Sequence, residues 1–354
     1  MYSLSDYHYD LPPDLIAQKP AEQRDSSNLL QLNRQTGALS HHRFTEIGAF
    51  FKPGDVLVVN DTAVIPGRLK GKKATGGKVE VLIADYAESV KSGDQFGNFM
   101  CKCLLKASKR PVPGTWLYFP NGLRAKVLDA CNGSHRLKFY VNGDFETLLD
   151  KIGQVPLPPY IKRYHSEVPP CDDKASYQTV YAGPRGAIAA PTAGLHFTEE
   201  LLDKLSADGV KIVPLTLHVG YGTFLPVRVA DIRRHHMHAE LFTISTKTAE
   251  TINNAKNAGK RVVAVGTTCV RTLEYLVNSD GYVAAGSGKC DLFIIPGHLF
   301  KIVDAVITNF HLPQSTLLML VSAFAGREKV LNAYQEAIRR KYRFYSYGDS
   351  MLIF

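Results

Sequence analysis

The chain has 354 residues, enough for one large domain or two, and 45% of them are hydrophobic, ample for a packed core. Lys and Arg outnumber Asp and Glu by 42 to 33, a formal net charge of +9 that suits a polyanionic partner such as nucleic acid, although a merely basic enzyme has the same balance. The six cysteines form no C-x-x-C pair, which argues against a zinc ribbon or an iron–sulfur cluster and for reduced thiols; Cys101 and Cys103 would share one side of a strand.

At the start of the chain, Met1 is followed by Tyr, Asp and His instead of a basic and then apolar run, so no secretory leader is expected. Pro12 and Pro13 open a short helix, Leu29–Leu32 begins a strand, and Phe44–Phe50 resembles a short helix closed by Lys52-Pro53-Gly54. Asp55–Val59 is an apolar strand that enters Asn60-Asp61-Thr62. Asp61 there is a candidate general acid or base, or simply the side chain of an Asx-turn.

From Gly67 to about Pro156 the pattern changes. Short β-type runs at 68–73, 79–86, 99–106, 115–119, 123–128 and 136–141 are separated by Gly, Pro, Asn and Asp, and helical periodicity returns only at Phe145–Ile152. This spacing predicts a small closed antiparallel barrel inserted into an α/β chain. The segment carries many cations, Lys70, Lys72, Lys78, Lys106, Arg124 and Lys126 among them; singly they suit a solvated strand face, and as a group they suit a phosphate backbone. A proline-stiffened return, Val155 to Ile161, leads to an expected helix over 172–181.

Ala187–Ala190 and Lys211–Val219 read as strands joined by a helix from Glu199 to Ala207, with Thr198 as N-cap, which predicts a βαβ unit with its loops on one sheet edge. Thr216, His218 and Gly220 share one strand face, and Gly220 and Gly222 allow close approach to the backbone near Thr223. His196 and His218 either fix these loops by hydrogen bonds or take part in catalysis. The stretch Arg233-Arg234-His235-His236-Met237-His238-Ala239-Glu240 lacks a metal motif and reads as a basic loop or an anion-facing site.

A helix over 247–258 precedes the strand 261–265 and Gly266-Thr267-Thr268, which opens a further helix containing Arg271 and Glu274. Free N–H groups and hydroxyls at such a helix start suit a carboxylate or phosphate; the plainer alternative is a capped helix with an Arg271–Glu274 surface pair. Strands are expected at 291–295 and 304–307. The second runs into Asn309, His311 and the N-cap residue Ser315 before an all-apolar, buried helix, Leu317–Ala325, too short to span a bilayer. A last helix over 329–341 is followed by Tyr342–Tyr347, whose aromatic and basic residues either contact RNA or pack. The expected fold class is α/β: a largely parallel sheet with flanking helices over 1–66 and 156–354, and an inserted antiparallel β-barrel over 67–155.

Several long motifs in one order, Asp6-Tyr7-x-Tyr9-x-Leu11-Pro12, Gly54–Thr62, Pro191–Thr198, Leu217–Phe224, Met237–Glu240, Gly266–Glu274, Thr308–Thr316 and Tyr342–Asp349, resemble the S-adenosylmethionine:tRNA ribosyltransferase-isomerases of queuosine biosynthesis along the whole chain. The resemblance implies transfer of the ribosyl part of S-adenosylmethionine to 7-aminomethyl-7-deazaguanine at the wobble position of tRNA with a GUN anticodon, leaving epoxyqueuosine, adenine and methionine. S-adenosylmethionine is then a consumed co-substrate, no further cofactor or metal is expected, and a cytoplasmic monomer is implied. Such chemistry requires a base beside the sulfonium, an acid for adenine and anchors for the methionine carboxylate. His218 or His196 is the candidate base and Asp61 or Glu240 the candidate acid. Thr267, Thr268, Arg271, Asn309, His311, Ser315, Gly220 and Thr223 are candidates to line the site. An ordinary methyltransferase would want a Gly-rich turn after an early strand, which is not evident; a simple RNA-binding module would not need the polar strand ends.

Overall fold

Strands Val56–Asn60, Val262–Val265 and Ala305–Asn309 are buried along their whole length, and their residues alternate between two cores. Val56, Val58, Val262, Ala264 and Val306 enter one core; Leu57, Val59, Val263, Val265, Ala305 and Ile307 enter the other. That alternation is what a sheet covered on both faces demands of its central strands. Helices Thr246–Asn257, Gly266–Leu276, Thr316–Ala325 and Arg327–Arg339 supply the first core, and Glu199–Ala207 supplies Leu201 and Leu205 to the second. The computed structural model describes residues 1–90, 99–131, 133–163 and 169–354.

The sheet has nine strands, and the expected α/β architecture is present with its parallel character concentrated in the centre. Lys211–Leu217, Val56–Asn60, Val262–Val265 and Ala305–Asn309 run parallel to one another, while Glu240–Ile244 and Gly286–Cys290 add antiparallel strands on one side. On the other side Ser350–Ile353 pairs antiparallel with Ala305–Asn309 and parallel with Asn28–Leu32, and Leu39–Arg43 closes that edge.

The second unit is a closed barrel of Arg68–Lys73, Lys78–Ile83, Phe99–Ala107, Trp116–Tyr118, Arg124–Cys131 and Ser134–Tyr140. All its strand pairings are antiparallel. It has its own core, in which Cys101 and Cys103 face inward with their sulfurs 3.4 Å apart. Among the described residues no helix is long and apolar enough to cross a membrane.

Three expectations are corrected. The predicted strand Ala187–Ala190 is instead Arg185–Ala187, and it pairs with Ala63–Val64 in a separate two-stranded sheet, so it does not form a βαβ unit with Lys211–Leu217. Ile188 continues past it and donates its amide to Val219 O, which bends this apolar run across the end of the main sheet. The strand expected at 291–295 lies upstream at Gly286–Cys290, because its partner is Glu240–Ile244 and the pairing ends at Cys290. The helix expected over 172–181 is the short Asp173–Ser176, capped by Asp172.

Candidate active site

The backbone ladder between Val56–Asn60 and Lys211–Leu217 ends at Asn60 and Leu215, and side chains continue the pairing beyond it. Buried Asn60 donates Nδ2–H to Leu217 O at 2.9 Å and accepts the Leu217 amide at 3.0 Å, much as a further strand residue would. Thr216 Oγ1 then donates to Asp61 Oδ1 at 2.6 Å, and Thr62 Oγ1 lies 2.7 Å from His218 Nδ1. Asp61 and His218 are thereby fixed on adjacent strand ends. Burial raises the Asp61 carboxyl above its ordinary range against the opposing effect of the Thr216 hydrogen bond, which favours its acid form.

The carboxyl ends of the parallel strands enclose a cleft of about 70 Å³. It is lined by Thr223, Thr267, Thr268, Arg271, Asn309 and His311, six of the eight residues expected to bind ligand. The helix Gly266–Leu276 begins at this cleft with Gly266 at φ +85° and with no side chain capping it, so its first-turn donors face the opening. Three buried polar atoms on the cleft wall, Tyr177 Oη, Thr268 Oγ1 and Asn309 Oδ1, lack a partner at full hydrogen-bond geometry among the described residues, with Ser346, Cys269 and His196 respectively as their polar neighbours. Buried polar groups of native proteins are overwhelmingly paired, so three incompletely satisfied ones around one opening leave hydrogen-bonding capacity there.

His311 is buried, 2.8 Å from Thr308 Oγ1 through Nε2, and its amide donates to Tyr334 Oη at 2.9 Å. Burial depresses its pKa to about 3, so it is a neutral fixture at physiological pH. Asn309 donates to Tyr345 O at 3.0 Å and holds a residue with φ +72°, a left-handed conformation that a non-glycine adopts only under constraint.

A cavity of about 700 Å³ adjoins this cleft through Thr223, which lines both. Leu104, Arg110 and Gly133 of the barrel form one side; Tyr221, Arg228, Arg234 and His235, His236 and His238 form the other, so the basic histidine loop faces an opening. Glu240 lines this cavity and also a side cleft of about 90 Å³ that contains His218, Gly220 and Asp85. Its carboxylate is fully engaged: Oε1 accepts the Gly220 amide at 2.8 Å and Oε2 lies 2.5 Å from Arg271 Nη1. Arg271 also donates to Leu292 O and Cys290 O, and both members of the pair are only 5–6% exposed. The surface pair imagined between Arg271 and Glu274 does not form; Glu274 instead accepts the amides of Lys301, Ile302 and Val303.

The remaining candidates stand apart. His196 lies in a separate small recess with Ser27, Arg24 and Arg343, its Nδ1 2.8 Å from Ser27 Oγ. Burial, with the charge of Arg343, depresses its pKa to about 3 although the Asn309 side chain opposes the shift. Ser315 does not line the cleft: it caps Thr316–Ala325 through the Leu318 amide. Tyr177, Thr308 and Ser346 belong to the cleft wall and were missed. Thr308 had a signal, since it opens the run containing Asn309 and His311, whereas Ser346 sits in an aromatic segment whose Tyr342, Phe344, Tyr345 and Tyr347 prove buried in the core.

Residues 4–353 match the family described as queuosine biosynthesis protein. Two relatives named S-adenosylmethionine:tRNA ribosyltransferase-isomerase are similar over 99% of both chains. One, from Syntrophotalea carbinolica, is 53% identical over 351 residues, and one, from Geotalea uraniireducens, is 50% identical over 352. The crystal structure of S-adenosylmethionine tRNA ribosyltransferase from Thermotoga maritima is similar with a TM-score of 0.56 and 37% identity, covering 99% of this chain and 100% of that one.

Proposed function

Because the chain belongs to the queuosine biosynthesis family, as an S-adenosylmethionine:tRNA ribosyltransferase-isomerase, we propose that the strand-end cleft and the cavity joined to it through Thr223 are where that reaction occurs. The enzyme transfers and isomerises the ribosyl moiety of S-adenosylmethionine onto 7-aminomethyl-7-deazaguanine at the tRNA wobble position, giving epoxyqueuosine-tRNA, adenine and methionine. The observation that carries the placement is the trio of incompletely satisfied buried atoms on Tyr177, Thr268 and Asn309 around a helix start with no side-chain cap. A volume of about 70 Å³ accommodates a charged end group and no more, whereas the adjoining 700 Å³ has the size of a ligand site. The methionine carboxylate therefore goes to the Thr267–Thr268 helix start and the nucleoside end to the larger cavity.

In this assignment His218, which lines the side cleft that shares Glu240 with the larger cavity, is the base that takes a proton from the carbon beside the sulfonium, and Asp61, behind it on the adjacent strand end and with its acid form favoured by burial, is the proton source for the departing adenine. Thr62 and Thr216 are positioning residues, and the Glu240–Arg271 pair holds Gly220 and the loop to Thr223 in place. His196 and His311, with pKa near 3, are too weakly basic for the task at neutral pH. No further cofactor is assigned, since the sulfonium acidifies its neighbouring carbon and both adenine and methionine are leaving groups. The chain is taken to act as a cytoplasmic monomer on tRNA with a GUN anticodon. Residues 67–155 are taken as a unit inserted between 1–66 and 156–354, supported by a core that draws only on residues from Ile65 to Ile152.

The test is incubation with S-adenosylmethionine and tRNA bearing the deazaguanine precursor, followed by nucleoside analysis. Epoxyqueuosine with stoichiometric adenine is expected. Methylated tRNA with S-adenosylhomocysteine would overturn the assignment.

A further inference from the structure

Residues directly opposite one another in an antiparallel pair lie on the same face of the sheet. On the outside of the barrel this rule traces one cross-strand row: Lys78 opposite Lys72, Lys72 opposite Tyr118, Tyr118 opposite Arg124, and Arg124 opposite Tyr140. The row crosses five strands, about 19 Å at a strand spacing of about 4.8 Å. It contains cations and aromatics and no carboxylate. Beside it Trp116 lies opposite Lys126, and Lys126 opposite Lys138. Arg124 and Lys126 stand 5.9 and 5.8 Å from the centre of the Trp116 ring, which itself packs 5.2 Å from Tyr140.

A solvated strand face ordinarily mixes charges of both signs. Here Lys72 faces Lys78 across the strands, an arrangement that costs stability, and among the described residues Lys72, Lys78 and Lys106 form no salt bridge. Glu80 stands opposite Lys106 in the register, but its carboxylate is taken by Arg68 at 2.9 Å; Asp129 is likewise taken by Arg136. Lys72, Lys78 and Lys106 therefore leave this face with an excess of positive charge. Lys70, Lys72, Lys78, Lys106 and the 42% exposed Tyr118 border an open groove of about 1200 Å³. The groove lies near the proposed reaction site along one strand: Lys106 lines the groove, and Leu104, two residues away on the same face, lines the 700 Å³ cavity.

We propose that this outer face of the barrel, with the row Lys78–Lys72–Tyr118–Arg124–Tyr140 at its centre, binds the sugar–phosphate backbone of the tRNA substrate outside the wobble nucleotide. The proposal rests on the tRNA-modifying function given above. Lysines at strand spacing neutralise phosphates without reading sequence, and aromatic rings set between them stack on exposed bases or riboses. The cavity with Arg228 and Arg234 receives the modified nucleotide, and the barrel face carries the rest of the arm.

Trp116 is the only tryptophan in the chain and lies on this face, so its fluorescence reports occupancy directly. The experiment titrates the enzyme with substrate tRNA at several salt concentrations, comparing the unaltered protein with K72A/K78A/K106A. These are surface positions, and a melting curve verifies folding. The variant should bind tRNA about tenfold more weakly at physiological salt, and the slope of log affinity against log salt should fall by about 2–3, near one for each lost phosphate contact. KM for tRNA should rise in parallel, affinity for S-adenosylmethionine should not move, and the matching Lys→Arg variant should retain binding. Unchanged tRNA affinity and slope in the alanine variant would overturn the proposal, whether the face is merely solvated or serves a protein partner. The two readings fail differently: an unaltered protein that binds tRNA on this face without releasing adenine defeats the assigned reaction, whereas full turnover with an unaltered KM in the alanine variant defeats only the docking surface.

Discussion

The Thr62 hydroxyl lies 2.7 Å from His218 Nδ1, although the two residues are 156 positions apart in the chain. Thr62 is fully buried at the exit of a central strand, so it fixes the imidazole from the interior side. When Nδ1–H donates to the hydroxyl oxygen, the lone pair is held on Nε2, the tautomer a base requires. Replacing Thr62 by Val removes that acceptor while keeping the shape. We expect kcat for adenine release to drop about 10–100-fold in T62V with little change in KM for S-adenosylmethionine, and T62S to recover most of it. His218→Ala should lose about 10²–10⁴-fold in a protein that still melts cooperatively. Full turnover in H218A would remove His218 from the proton transfer, and in T62V it would remove Thr62 as the residue that positions it.

The Nδ1 edge of the same ring is also bounded by Gly186. A Cβ built there would stand 2.6 Å from His218 Nδ1 and 2.8 Å from Ala87 Cβ, distances that atoms do not share without displacement. Neither neighbour yields easily, because the ring is tied to Thr62 and Ala87 belongs to the short Tyr86–Val90 helix. G186A should therefore reduce turnover more than tenfold and cost about 1–3 kcal/mol of stability, as overpacked sites do. Steady-state kinetics with denaturant melts will separate the two effects; wild-type values in both would show that the ring has room to move.

The barrel strands could be read from sequence to within a few residues because period-two alternation and turn residues act locally, and nothing distant decides whether Leu69, Val81 or Phe139 points inward. The polar strand exits at Asn60–Thr62 and Gly266–Thr268 were equally visible. Pairing partners were not. Arg185–Ala187 is too short and too Ala- and Gly-rich to announce that its partner is Ala63–Val64, and Gly286–Cys290 becomes a strand only because Glu240–Ile244 is beside it. The site followed the same division. Thr267, Thr268, Asn309 and His311, singled out by local loop chemistry, come to line one cleft, whereas the Glu240–Arg271 pair depends on a tertiary approach between a strand start and a helix face.

That pair gives a sharper expectation. With both groups 5–6% exposed, Glu240→Gln leaves the Arg271 guanidinium buried without its counter-charge, a change that typically costs about 3–5 kcal/mol. Pairing it with Arg271→Met should restore much of the lost stability, since no charge is then left buried without its counter-charge. Activity should not return in the double variant, because Arg271 lines the cleft and its guanidinium is lost, even though a glutamine oxygen at position 240 can still accept the Gly220 amide. Thermal melts and adenine release, measured on both variants, test this; recovery of stability and turnover together would make the pair purely structural.

Stability should also fall in mild acid, and the sign follows from His196 and His311. Both have folded-state pKa values near 3, depressed by burial in each and in His196 also by the charge of Arg343, against an unfolded value near 6.5. Between those values the unfolded chain binds protons that the native protein refuses. Their contribution is fully present above pH 6.5 and is lost as pH falls towards 3, at about 1.4 kcal/mol per pH unit for each histidine. Asp55, whose carboxyl is held low by hydrogen bonds from Arg261 and Lys52 that outweigh its burial, adds its loss only as pH falls below its unfolded value near 3.8. Asp61 and Asp85, raised by burial, act in the opposite direction near the acid end. The window from pH 6.5 to about 4 therefore belongs mainly to histidines lowered by burial, His196 and His311 most strongly, with His41, His135 and His235 adding to them. Denaturant melts across that range should show a slope of two protons or more, and H311N, which keeps a polar group beside Thr308 but cannot titrate, should reduce it by one. An unchanged slope in H311N would mean that His311 takes up its proton in the native state, and its place in the cleft would then be that of a titrating group.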